Sequence, residues 1–154
     1  GVLSADHAQM MNSLLWLVIF IGRMVGAAVT GKVSRSRILM ADGVGLFVFF
    51  LVMFFSRTAG PVVLGLVGVG FFMATIYPTA FAFGSDCIKG NDLGCSIMIF
   101  TGSAGGIITP AMVGFVAERA GIRAGMGLIL AYTALLLLSV ILSVASVQGA
   151  KSIE

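Results

Sequence analysis

Tyr77-Pro78-Thr79 and Gly105-Gly106-Ile107-Ile108-Thr109-Pro110 each place a proline in the middle of a long uncharged run, and both runs lie between Gly60 and Gly114. A proline inside an apolar helix removes a backbone donor and collides with the preceding turn, at a cost of about 3 kcal/mol in water. In a membrane such positions survive where neighbouring helices or polar groups satisfy the freed carbonyls. Two interrupted helices in succession therefore predict moving parts or a buried cavity, with Pro78, Gly105, Gly106 and Pro110 as the flexing positions.

Composition says what surrounds these runs. Of 154 residues, 59% are hydrophobic and 10% are charged, against roughly 25% charged in a soluble domain. The deficit is too large for a surface that faces water, so the surrounding medium is lipid. The net charge of +3 does not point to nucleic acid, because the basic residues sit in short loops between apolar runs. The expected fold is an all-α, polytopic membrane protein with spans at about 9–30, 38–55, 61–83, 95–117 and 124–147. Each is near the ~20 residues that cross ~30 Å of hydrocarbon. Residues 1–154 read as one transmembrane domain. The first residue is glycine, and no signal peptide precedes the first apolar run, so the chain reads as a piece of something longer.

An odd number of spans puts the termini on opposite sides. Lys32, Arg35, Arg37, Lys89 and Lys151 fall on one side, and Arg57, Arg119 and Arg123 on the other. The basic cluster at 31–37 places its own side, and the C-terminus with it, in the cytoplasm. The expected location is a bacterial cytoplasmic membrane. Cys87 and Cys95 share one loop and match no metal spacing, with His7 far away. They are two plain thiols, or a loop disulfide if that side is oxidising. Gly22 and Gly26, Gly102 and Gly106, and Gly121 and Gly125 make Gly-x-x-x-Gly spacings, which let helix backbones approach closely.

Arg23 is the one charge well inside a span, about 10 Å from the cytoplasmic end at ~1.5 Å per residue. A charge there costs roughly 2.5–3.5 kcal/mol on insertion scales if centred. It either snorkels along its aliphatic stem or faces a wet cavity or an acid on another helix. Asn12, Trp16, Arg23 and Thr30 fall within about 40° on a helical wheel, one polar stripe on an oily helix. On the third span Gly70, Tyr77, Phe81 and Gly84 share a face opposite Thr75 and Thr79. Tyr77 can bond a substrate hydroxyl or a carbonyl freed by Pro78. Thr101 shares a face with Gly105, though buried Ser and Thr often bond only their own helix. Asp42, one turn into the second span, is either solvated at the interface or latches cytoplasmic helix ends by pairing with the basic loop.

No acidic residue is expected deep in any span, so no proton-relay carboxylate is evident. There is no phosphate-binding loop, no Ser/His/Asp set, no metal cluster and no dinucleotide fingerprint. The expectation is a protein that is not an enzyme and uses no cofactor.

The order of spans, loop lengths and both proline motifs resemble the major facilitator superfamily, with the five spans matching the last five of its twelve helices. Gly22-Arg23 followed by the basic loop Gly31 to Arg37 resembles the conserved region between its eighth and ninth helices. Tyr77-Pro78-Thr79 and the run Gly105 to Gly114 look most like the fucose–proton symporter branch, which includes sodium-dependent glucose transporter-like proteins. The resemblance implies two six-helix halves rocking around a central site, the first, third and fourth spans lining it, and the second and fifth lying more peripherally. It implies sugar contacts from Asn12, Trp16, Tyr77 and Thr101, and gating or helix-end roles for Arg23, Lys32, Arg35 and Arg37. The loop lacks the acidic residue of the superfamily's fullest loop signature.

The function expected on this basis is part of a secondary active transporter for a small polar solute, foremost a sugar, by proton or sodium symport. Its partners are that solute, the coupling ion, the bilayer and an N-terminal half holding seven more helices. The alternatives are an exporter of drugs or organic anions in the same superfamily, a non-transporting membrane assembly subunit docking through its glycine faces, and a short subunit that pairs with a separate chain.

Overall fold

The computed structural model describes residues 5–88 and 91–151, with side chains from 9 to 86, at 88 and from 91 to 146. Lys89 lies outside the described residues, as do the side chains of Cys87 and Lys151. Five helices follow one another: α1 (Ala5–Val29), α2 (Arg35–Phe55), α3 (Ala59–Cys87), α4 (Asp92–Ala120) and α5 (Ile122–Lys151). All five are long and apolar enough to cross a membrane. At about 1.5 Å per residue even α2, with its 21 residues, reaches about 30 Å. The protein is an integral membrane protein, all-α as expected.

The connections are short because their residues stop helices cleanly. Gly31 and Gly121 hold φ of 96° and 89°, a region that strains any residue with a Cβ. Gly121 thereby turns the chain from α4 into α5 on its own, so the Gly121/Gly125 pair is a turn followed by a packing residue, not two steps on one helix face. Asn91 caps α4 by accepting the Gly94 N–H at 3.1 Å. The 31–37 stretch is shorter as a loop than its charges implied, since α2 already starts at Arg35 and includes Arg37.

The helices touch in the pairs α1–α3, α2–α3, α3–α4, α2–α5 and α4–α5. So α3 has α1 on one flank and a slight contact with α4 on the other. α2 lies against its back, and α5 joins α2 to α4. Glycine sets the closeness of these contacts. The Phe72 ring of α3 lies on Gly45 of α2, while the Phe49 ring of α2 lies on Gly68 of α3. The two rings stack at 5.8 Å. Leu39, Val140 and Val144 close the α2–α5 seam, with Phe83 of α3 packed on them. α4 buries no residue and leans on α5, where a Cβ on Gly125 would stand 2.9 Å from that of Ala117.

The two proline-containing helices are not broken. α3 runs through Pro78 and α4 through Pro110. Each proline leaves one carbonyl without its usual donor, but opening the helix there would free further backbone groups at several kcal/mol each in an apolar medium. One missing bond is the cheaper outcome.

Candidate functional site

A cavity of about 520 Å³ lies where α1 and α3 diverge above the start of α2. Its position follows from two glycines. On α1, a Cβ at Gly22 would meet the Phe71 carbonyl at 2.8 Å and the Ala74 Cβ at 2.9 Å, and one at Gly26 would overlap the Thr75 methyl. These contacts pin α1 to the middle of α3. Arg23, between the two glycines, is therefore held level with the centre of α3 and lines the cavity. Among the described residues it has no hydrogen bond or ion pair.

Thr75 joins three helices. Its methyl meets Gly26 of α1, and its hydroxyl donates to Asp42 Oδ2 of α2 at 2.6 Å. Asp42 is 6% exposed. It is seven residues into α2, close to that helix's midpoint, and it bonds near the midpoint of α3. This corrects the expectation that no acid lies deep in a span. The helix begins at Arg35, so Asp42 sits two turns in instead of one, and its partner is Thr75 near the middle of α3, not the basic loop.

Thr79 also lines the cavity. It is 8% exposed, and its hydroxyl has no partner among the described residues. Tyr77 lies on the wall with its ring stacked near Phe81, centroids 6.5 Å apart, and within 3.5 Å of where Gly102 of α4 would carry a Cβ. At the α2 end Arg35 closes the cavity by donating to Asp86 and to the Ala82 carbonyl of α3. Its charge is thus matched, whereas that of Arg23 is not.

Arg23, Arg35, Tyr77 and Pro78 therefore share one cavity. The other expected residues stand elsewhere. Asn12 and Trp16 lie two to three turns along α1 from Arg23 and are exposed. Thr101 is exposed, with its hydroxyl donated to Ile97 of its own helix at 2.8 Å, the local bonding that buried and exposed threonines share. Gly105 and Gly106 face open space and Pro110 is exposed. Lys32 is exposed in the α1–α2 turn, and Arg37 lies against α5 near Ile141 and Val144. Thr30, Thr75 and Thr79 complete the polar lining. Their sequence signals are that Thr75 and Thr79 are four residues apart on α3, and that Thr30 is seven residues after Arg23. Cys95 is a free, half-buried thiol. Among the described residues no group of His, Cys, Asp and Glu is clustered to hold a metal.

The chain is 24% identical over 122 residues, 77% of its length, to the major facilitator superfamily domain-containing protein 4A of Homo sapiens, and equally to that of Pongo abelii. It is 24% identical over 154 residues, 97% of its length, to that of Xenopus tropicalis. It spans about a quarter of the human and orangutan proteins and 30% of the frog protein. All three relatives are from animals. No family model matches, and no solved structure matches. Five apolar helices joined by short turns, together with these similarities, support a relationship of this membrane protein to the major facilitator superfamily.

Proposed function

We propose that this chain is the C-terminal portion of a secondary active transporter for a small polar solute, foremost a sugar, moved by alternating access with a proton or sodium ion. The observation that carries this is the cavity between α1 and α3. Its ~520 Å³ is within the range of small-molecule sites, and it opens on α1, α3 and the start of α2. A hydroxyl with no intramolecular partner among the described residues (Thr79), a phenol (Tyr77) and a guanidinium without a counter-ion (Arg23) converge on it. These are donors and acceptors for hydroxyl groups, arranged in an apolar wall. Asp42, one hydrogen bond behind the wall through Thr75, supplies the acid that ion coupling needs.

The second half of the site lies with the partner half, so the 154 residues alone bind weakly and do not transport. The test is radiolabelled sugar uptake in proteoliposomes by the transporter that contains this segment, with proton and sodium gradients imposed separately. Gradient-driven uptake that falls in Tyr77→Phe and in Arg23→Ala supports the proposal. Uptake untouched by both removes the cavity from the pathway. The unmatched charge of Arg23 favours a second reading, an organic anion as the solute. In that case anionic solutes compete for uptake, and Arg23→Ala abolishes their competition while sparing neutral sugars.

A further inference from the structure

A second cavity, of about 450 Å³, sits at the opposite end of the bundle from Arg35, in the corner between the α2–α3 turn and the start of α5. Arg57, in that turn, and Arg123, the second residue of α5, both line it. Neither has an acidic partner or a hydrogen bond among the described residues. The neighbouring Arg119 is committed elsewhere, its guanidinium 4.2 Å from the centre of the Phe115 ring. The rest of the wall is Met53, Phe54, Phe55, Val62 and Met126, with Ser56, whose hydroxyl donates to the Val52 carbonyl of its own chain segment. Phe55 is 73% exposed and points the apolar side of the corner outward.

Two guanidinium groups without a counter-ion on one small cavity make it electropositive. An anion between them is attracted to both, and Arg offers the forked donors that match phosphate oxygens. The anion that fits must also cover the aromatic and aliphatic wall, which a free ion cannot do. The corner is bounded by the end of α2, the start of α3 and the start of α5, away from the α1–α3 cavity, and Phe55 turns its apolar side outward. We infer that this corner is a binding site for a phospholipid of net negative headgroup, its phosphate held by Arg57 and Arg123 and its acyl chain lying on Phe54, Phe55 and Met126. The inference is independent of what solute the protein moves.

The experiment is native mass spectrometry of the chain in detergent, titrated with phosphatidylglycerol and with phosphatidylcholine of the same acyl chains. Each arginine near an anionic membrane surface contributes about a fivefold factor, so the two together give phosphatidylglycerol a preference of about thirtyfold. Arg57→Gln and Arg123→Gln each cut that preference about fivefold, and the double variant removes it, while Arg119→Gln leaves it unchanged. Far-UV circular dichroism accompanies each variant. If the double variant loses helicity, the two single variants carry the test. The site is overturned if the two lipids bind equally to the wild type, or if the arginine variants keep the preference. It is also overturned if Arg119→Gln lowers the preference as much, which would mean diffuse surface charge. Displacement of the lipid by inorganic phosphate at equal concentration would overturn the lipid in favour of a free anion.

Discussion

Thr75→Val removes one oxygen from the centre of the fold and changes almost nothing else. The lost group is the donor to Asp42 at 2.6 Å, a distance typical of a hydroxyl–carboxyl hydrogen bond. Interhelical hydrogen bonds in membranes average about 0.6 kcal/mol and reach about 1.7, because the alternative partners in the unfolded state are seldom absent. Leaving a buried acceptor unsatisfied costs about 1–3 kcal/mol. Asp42 is 6% exposed and has no other bond among the described residues, so no protein neighbour replaces the lost donor. The cost therefore falls where the two ranges overlap, at about 1.5 kcal/mol or slightly more than tenfold in the unfolding equilibrium. Thr75→Ser keeps the donor and loses only the methyl against Gly26, a handful of contacts at about 0.1–0.2 kcal/mol each. It should cost about 0.5 kcal/mol or less.

The assay is unfolding of the chain in mixed micelles by titration with a denaturing detergent, followed by far-UV circular dichroism, with Trp16 fluorescence as a second probe on α1. A double-mutant cycle of Thr75→Val with Asp42→Ala isolates the pair from the volume lost at Asp42. A coupling of about 1.5 kcal/mol is expected. If the coupling falls below about 0.3 kcal/mol, the additivity limit for independent sites, or if Val and Ser at position 75 are equally costly, then Thr75 is not the joint between α2 and α3.

Three further outcomes follow from the same packing. Arg35→Ala breaks the ion pair with Asp86, but both side chains are over 40% exposed, so the loss in the same unfolding titration is under about 1 kcal/mol and shrinks with added salt; a larger, salt-insensitive loss would contradict that. Gly65→Ala places a Cβ 2.8 Å from that of Met53 and 3.0 Å from the Phe49 carbonyl, and since backbone cannot yield, it destabilises by about 1–3 kcal/mol. Gly106→Ala meets nothing within 4 Å and gains helix propensity of up to about 1 kcal/mol, so the two alanines shift the unfolding midpoint in opposite directions. Equal shifts would mean that α4 is packed at Gly106 in the folded chain.

Where sequence reading succeeds here, the property is local. Five spans are legible because about 20 apolar residues between charges leave a helix no other way to satisfy its backbone in lipid. Arg23 and Tyr77 stand out in the sequence because a charge inside a span, or a phenol beside a proline, needs something polar to face, and both line the α1–α3 cavity. The readings that fail are those that depend on a neighbour. Three pairs share the Gly-x-x-x-Gly spacing. Gly22 and Gly26 both meet α3, Gly106 meets nothing, and Gly121 is a turn with positive φ. The spacing reports that a backbone can be approached, not that one arrives. Proline misleads for a related reason, since its cost in water is not its cost among apolar neighbours, and α3 and α4 pass through it.

The stripe on α1 shows the remaining limit. Asn12, Trp16, Arg23 and Thr30 share a direction on the wheel, yet Asn12 is eleven residues from Arg23, about 16 Å along the axis. A wheel keeps azimuth and discards height, while a cavity has both. Height is set by which residue of the next helix is opposite, and on α1 that is settled by Gly22 and Gly26 against Ala74 and Thr75. Between α2 and α3 the same work falls to Gly45 against Phe72 and Gly68 against Phe49, which bring Asp42 into register with Thr75, 33 residues away. The polar centre of this protein is thus assembled by glycines, residues that carry no chemistry of their own. A variant that shifts a glycine contact by one turn, leaving every polar side chain in place, should dismantle the site as surely as removing Arg23.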